Sequence, residues 1–181
     1  MLEWFDKGLI TVAESTEATQ LYLIRHGIAA ERGPYPKDSD RPLTQAGRDK
    51  TTKVAERLHE LGLRFDLILT SPLVRARQTA EILQSVGLSD RLEESDDLAP
   101  AGDFNHWLTW FNQWQSEGTQ LALVGHQPDL GNWAETLIWG ESRQQIMLRK
   151  AGVVGLLLPQ FETPVGQSQL FWLTPPKFLL H

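Results

Sequence analysis

The sequence predicts an α/β fold of three layers, with a mostly parallel central sheet flanked by helices. Two patterns carry that expectation. Residues 21–24 (LYLI), 67–69 (LIL) and 121–124 (LALV) are short, unbroken apolar runs, as in strands covered on both faces. Between them the apolar residues recur at helical spacing. Strands that alternate with helices in this way imply parallel pairing. The 181 residues are enough for one domain with a buried core. The expected division is an N-terminal arm over residues 1–20 and a single domain over 21–181.

The arm is inferred from weak periodicity over residues 1–19 and a polar run from Glu14 to Gln20. The first strand then runs into Arg25-His26-Gly27. Residues 28–42, rich in proline, glycine and charge, read as a loop. From Thr44 to Leu61 the pattern is helical. Thr44 is placed to cap it, Val54, Leu58 and Leu61 share a face, and Gly62 closes it. After the second strand, Ser71-Pro72 reads as an N-cap followed by a first-turn proline, which puts Arg75 in the first turn of a second helix. Leu73, Ala76, Ala80 and Leu83 form its apolar stripe, and Gly87 marks its end.

Residues 88–102 read as an acidic loop. Asp103 is placed to cap a helix reaching about Gln115, with Phe104, Trp107, Phe111 and Trp114 on one face. The spacing of its tryptophans favours core packing over a stacking platform. The third strand ends at Gly125-His126, and another helix follows Pro128. Residues 153–158 and 170–173 look like two later strands, paired antiparallel.

Composition removes several function classes. The chain has no cysteine, which excludes disulfides, thiolate metal sites and cysteine nucleophiles. A formal charge of −6 argues against broad nucleic-acid binding while leaving room for a small basic pocket. The first residues do not read as a secretory signal, and no apolar stretch approaches the roughly 20 residues that span a bilayer. The cytosol is the expected compartment, with no membrane partner. Five scattered histidines show no metal-ligand spacing.

Three strand ends carry residues suited to an anion: Arg25-His26-Gly27, the Ser71–Arg75 segment, and Gly125-His126. In parallel α/β sheets ligands bind beyond the carboxyl ends of the strands. If the three strands are neighbours, two arginines and two histidines converge there. Histidine can act as a nucleophile, and the arginine fork matches phosphate oxygens. The constellation proposes phosphoryl transfer. Asp38-Ser39-Asp40 lacks the apolar strand that an aspartyl-phosphate motif requires, and reads as loop structure or rim charge near Arg41.

Leu23-Ile24-Arg25-His26-Gly27 resembles the Arg-His-Gly signature of the histidine phosphatase superfamily, which includes the phosphoglycerate mutases. The resemblance continues through Arg41-Pro42-Leu43-Thr44 with Gly47, and through Ser71-Pro72-Leu73-Val74-Arg75-Ala76 with Gln78-Thr79. It resumes at residues 98–103 and 124–128 and extends to Pro175-Pro176-Lys177. Chain length and these blocks are most similar to the SixA-type phosphohistidine phosphatases. The resemblance implies that His26 is a nucleophile forming a phosphohistidine intermediate. Arg25, Arg75 and His126 would bind and stabilise the phosphoryl oxygens, with no metal and no cofactor. It further implies a phosphorylated protein as partner, such as a histidine-containing phosphotransfer domain in two-component-type signalling. A small phosphate ester is the alternative, and an inactive phosphate- or phosphoprotein-binding module is the alternative of another class. One departure matters. Relatives acting on alkyl phosphates carry a defined acidic proton donor, whereas here Glu93, Glu94, Asp96, Asp97 and Asp103 lie in that region without a motif that selects one. Asp103 is the candidate general acid, against its simpler role as a helix cap.

Overall fold

The computed structural model describes residues 18–160 and 162–180; residues 1–17 of the expected arm lie outside the described residues. Six strands form one sheet: β1 (Ala18–Arg25), β2 (Leu67–Thr70), β3 (Leu92–Glu94), β4 (Gln120–Gly125), β5 (Val153–Pro159) and β6 (Gln169–Thr174). Their order is β3-β2-β4-β1-β5-β6. The first four strands run parallel, β5 pairs antiparallel with β1, and β6 antiparallel with β5. The helices are α1 (Gln45–Glu60), α2 (Val74–Ser85), α3 (Phe104–Trp114) and α4 (Asp129–Trp139).

The unbroken apolar runs make sense once the two cores are separated. Leu21 and Leu23 of β1 face a core shared with Trp107, Phe111 and Trp114 of α3 and Leu130, Ala134 and Leu137 of α4. Tyr22 and Ile24 point the other way, into a core with Val54, Ala55 and Leu58 of α1 and Ala76, Ala80 and Leu83 of α2. Side chains alternate along a strand, so burial of both faces demands apolar residues at every position. The expected three-layer α/β sandwich with a mostly parallel sheet is therefore the fold observed.

Local differences have identifiable causes. β1 begins at Ala18, inside the expected arm, because residues 18–20 extend the ladder with β5 and β4. The acidic stretch contains a strand, β3, whose residues Leu92-Glu93-Glu94 lie at the sheet edge, where solvent tolerates charge. Thr44 caps α1 by accepting from Gly47 N, but Ser71 is not the cap of α2. That helix starts at Val74, and its N-cap residue, Leu73, makes no side-chain cap bond. Leu61, expected on the buried face of α1, is exposed past the helix end. Among the described residues, no helix is long and apolar enough to cross a membrane.

Candidate active site

Because β2, β4 and β1 are adjacent and parallel, their carboxyl ends lie side by side. Arg25 ends β1, Ser71 follows β2, and His126 follows β4. Arg75, the second residue of α2, reaches the same point. The expected convergence occurs.

His26 is buried, and its Nδ1–H donates to the Gly27 carbonyl at 2.7 Å. Nε2 is then the unprotonated nitrogen, and it accepts from Arg75 Nε at 3.3 Å. Burial pushes the ring's pKa down to about 3; the Gly27 bond opposes this, while His126, Arg75 and Arg25 add to it. The ring is thus neutral at physiological pH. The turn behind it needs glycine, since a Cβ on Gly27 would lie 2.4 Å from Thr51 Oγ1 and 3.2 Å from Leu43. Gly27 N donates to Thr79 Oγ1, and Thr79 Oγ1–H donates to the Arg75 carbonyl. Thr79 therefore ties the His26-Gly27 turn to the helix that carries Arg75.

The His126 ring centroid lies 5.1 Å from that of His26. An arginine only donates, so His126 Nδ1, facing Arg75 Nη2 at 3.4 Å, is unprotonated, and Nε2–H donates to Ser71 Oγ at 2.8 Å. Burial first, then Arg75, pushes His126 down to about 4, with Asp38 partly opposing.

The two arginines are held differently. Arg75 is buried, and its two terminal nitrogens are also held by Asp38: Nη1 donates to the Asp38 carbonyl at 2.8 Å and Nη2 to Asp38 Oδ2 at 2.9 Å. Partial burial works against the Asp38 charge, but Arg75 and Arg41 outweigh it and hold its pKa below the usual value. Arg41 binds the other carboxylate oxygen at 2.8 Å. Among the described residues Arg25 pairs with no carboxylate; its Nη1 donates to the Leu148 carbonyl at 2.9 Å. That carbonyl belongs to a segment pinned from two sides. Gln127 Nε2 donates to the Ile146 carbonyl at 3.1 Å. The fully buried Glu135 accepts from the backbone N–H groups of Arg143, Gln145 and Ile146. Burial raises the Glu135 pKa, but these N–H donors more than offset it and keep the carboxyl low.

Asp103 is exposed and caps α3, accepting from Asn105 N at 2.9 Å and His106 N at 3.1 Å. Among the described residues, no hydrogen bond joins it to His26, His126, Arg25 or Arg75. Other carboxylates of that region are engaged elsewhere: Glu93 with Arg91, Glu94 with Arg77, Asp97 with His106. No group of three metal-ligating side chains forms among the described residues.

By sequence, Asp38 reads as loop structure or rim charge near Arg41. It does pair with Arg41, but its closer service to the site is through Arg75, 37 positions away. Ser71, read as a helix cap, instead orients His126. Glu135 and Leu148 were not singled out at all.

Comparison with known proteins converges on one family. The model of the histidine phosphatase superfamily (branch 1) matches residues 21–161. An uncharacterized protein of Picosynechococcus is 47% identical over 163 residues, covering 89% of this chain and 99% of that protein. The phosphohistidine phosphatase SixA of Escherichia coli is 32% identical over 125 residues, 68% of this chain and 76% of that one. The mitochondrial serine/threonine-protein phosphatase Pgam5 of Drosophila willistoni is 30% identical over 174 residues, and the match spans only 58% of its length. Among solved structures, the protein histidine phosphatase SixA complexed with tungstate superposes with a TM-score of 0.78 at 27% identity, covering 89% of this chain and 99% of that one.

Proposed function

Because this chain belongs to the histidine phosphatase superfamily, we propose that it is a phosphatase whose nucleophile is His26 and whose preferred substrate is a protein phosphohistidine, as on a histidine-containing phosphotransfer domain. The observation that carries this reading is the neutral His26 ring. Its Nδ1–H is committed to Gly27, and Nε2 faces Arg75. A phosphoryl group seated between Arg25, Arg75 and His126 would be attacked by the Nε2 lone pair. The N–P bond forms as the bond to the leaving group breaks, and water then hydrolyses the phosphohistidine to release phosphate. Arg25 and Arg75 offset the charge on the phosphoryl oxygens through both steps. His126 can donate to that group only from Nδ1, so the anion must bring or hold a proton there. The tungstate held by the related SixA is a tetrahedral oxyanion of the same shape as phosphate, which supports a phosphoryl site in this pocket.

Substrate preference follows from the leaving group. An alkoxide is expelled with difficulty, because its conjugate alcohol is about as weak an acid as water, pKa about 16. Esters of that kind need a placed proton donor. Imidazole leaves as a neutral ring after one easy protonation, its conjugate acid having pKa about 6.5. The commitment of Asp103 to α3, and of Glu93, Glu94 and Asp97 to surface pairs, supports a site suited to the easier leaving group.

The test is kcat/KM across a phosphohistidine protein, p-nitrophenyl phosphate, a phosphoserine peptide and a sugar phosphate, with Asp103→Asn alongside. Phosphohistidine should lead, the aryl ester should follow, and Asp103→Asn should preserve the ranking. Alkyl esters turning over as fast as phosphohistidine, with a large loss in Asp103→Asn, would overturn the substrate assignment. The phosphoserine arm also separates this chain from the activity named for Pgam5. Rapid quenching with labelled substrate should trap acid-labile phosphate, and His26→Ala should abolish both trapping and turnover.

A further inference from the structure

Beside Arg25 lies a groove of about 690 Å³ with an unusual lining: Arg25, Lys50, Arg149, Lys150 and Lys177 border it, and no carboxylate does among the described residues. The fold gathers them from four separate places. Arg25 ends β1, Lys50 is on α1, Arg149 and Lys150 precede β5, and Lys177 follows β6. These meet because β5 starts, and β1 and β6 finish, at the same edge of the sheet. Ile28, Pro175 and Pro176 complete the wall with apolar, stiff surface.

Five of the chain's 17 lysines and arginines are thus concentrated in one groove of a protein with formal charge −6. Among the described residues none of the five forms an ion pair, although six other arginines do. Lys177 sits over the Phe178 ring at 4.7 Å instead of beside an acid. A second observation lies in Arg25 itself: among the described residues its buried Nε has no hydrogen-bond partner, a costly state for a donor. Arg149 adds to burial in lowering the Arg25 pKa, the mark of two cations held close without a counter-charge.

We propose that this groove docks an acidic surface of the phosphorylated protein substrate, steering its phosphohistidine toward His26. The inference rests on the phosphohistidine reading above and names the second surface that such a substrate must present. A protein face fits better than a second phosphate on a small molecule. Arg149, Lys150 and Lys177 are exposed, and the two lysines are point charges on flexible stems, suited to spread acidic charge rather than to a fixed bidentate clamp. The net negative charge opposes an acidic partner overall, so attraction at the groove would select one orientation as well as raise the encounter rate. It also disfavours nucleic acid, whose binding calls for an extended basic footprint.

The experiment uses the full chain and a fluorescein-labelled oligoglutamate peptide as probe. Anisotropy should report binding that weakens steeply with salt, and Lys150→Glu combined with Lys177→Glu should reduce the affinity about tenfold or more. In parallel, kcat/KM is measured for two phosphohistidine peptides, one with acidic flanks and one with neutral flanks. The double variant should lose about tenfold more on the acidic peptide than on the neutral one, chiefly through KM. Equal losses, or oligoglutamate binding that is absent or unchanged in the variant, would overturn the docking proposal. Pyrophosphate binding that the variant weakens, with no binding of oligoglutamate, would assign the groove to a small-molecule anion. Binding of oligoglutamate without turnover of either phosphohistidine peptide would keep the groove and overturn the substrate reading.

Discussion

Arg75 and Arg25 both act on the same pair of histidines, yet the protein secures them by opposite means. Arg75 is gripped along one whole edge by a single residue, Asp38, through both its carboxylate and its carbonyl. Arg25 is held by one neutral carbonyl, that of Leu148, in a segment anchored by a buried carboxylate, Glu135, that never touches Arg25. A direct carboxylate fixes a guanidinium firmly but cancels much of its charge. A remote carboxylate fixes it through the backbone and leaves the charge available. One side of the site is therefore neutralised and well oriented, and the other is cationic and open.

The largest effect expected from this difference is at Arg75. Arg75→Ala should lower kcat by on the order of 10²–10³, the scale for loss of a preorganised transition-state donor. Part of that loss would come from leaving Asp38 Oδ2 beside the proposed phosphoryl site, with Arg41 holding only the other oxygen. Removing both, in Arg75→Ala with Asp38→Ala, should restore about tenfold relative to the single variant. A double variant no better than the single one would show that Asp38 contributes nothing beyond loop structure.

Next in size is Glu135→Gln. Replacing the carboxylate exchanges strong charge-assisted bonds to several N–H groups for weaker ones and leaves a buried amide to satisfy. About 2 kcal/mol of stability should be lost, read by denaturant midpoint at constant slope. Because the pinned segment leads to the Leu148 carbonyl, kcat should fall as well, and its effect should add to that of Asp38→Ala. The two supports share no residue, so non-additive losses would break the separation drawn here.

Asp38→Ala alone should cost about tenfold in kcat, a positioning effect through Arg75. KM should fall rather than rise, because a negative charge has left the neighbourhood of an anion. Asp38→Asn keeps the main-chain carbonyl and a side-chain oxygen and should recover most of kcat. An increase in KM with kcat unchanged would mean that Asp38 touches substrate directly.

Much of the cationic half was legible in the sequence, and little of what supports it was. Arg25, His26 and His126 stand at the ends of apolar runs, and a run buried on both faces fixes where a strand stops. Arg75 could be placed because it lies within the first turn of a helix beginning near Ser71. The supporting contacts follow no such local rule. Asp38 reaches Arg75 only because the 28–42 segment folds back over the sheet edge, and nothing in Asp38-Ser39-Asp40 specifies that path. The Leu148 carbonyl is a backbone group that any residue would supply. Ser71 fitted the Ser-Pro helix signature while its hydroxyl was needed by His126, and a local pattern cannot reveal a partner 55 positions away. The edge strand β3 escaped because Glu93 and Glu94 face solvent, where strand pattern carries no hydrophobic signal.

The smallest effect concerns the two neighbouring rings of His26 and His126. Burial, reinforced by Arg75 and Arg25, lowers His26 to about 3 and His126 to about 4, both well below the value of about 6.5 expected in an unfolded chain. The unfolded state therefore takes up protons that the folded state refuses, and stability must fall as pH drops through 6.5 toward 4. Between pH 7 and pH 6 each ring should cost somewhat under 1 kcal/mol, seen as a declining Tm. His126→Asn should remove its share of that slope while His26 keeps its own. Asp38 acts on His126 in the opposite sense to the arginines, so Asp38→Ala should steepen the acid loss below pH 5, where His126 begins to titrate in the folded protein. Bound phosphate or vanadate should do the reverse, because an anion between the rings favours their protonated forms and raises both folded values. A Tm that is flat from pH 7 to 5 in the unliganded protein would mean that the folded rings take up protons as readily as the unfolded chain does. The proposal that burial holds His26 neutral for attack would then have to be given up.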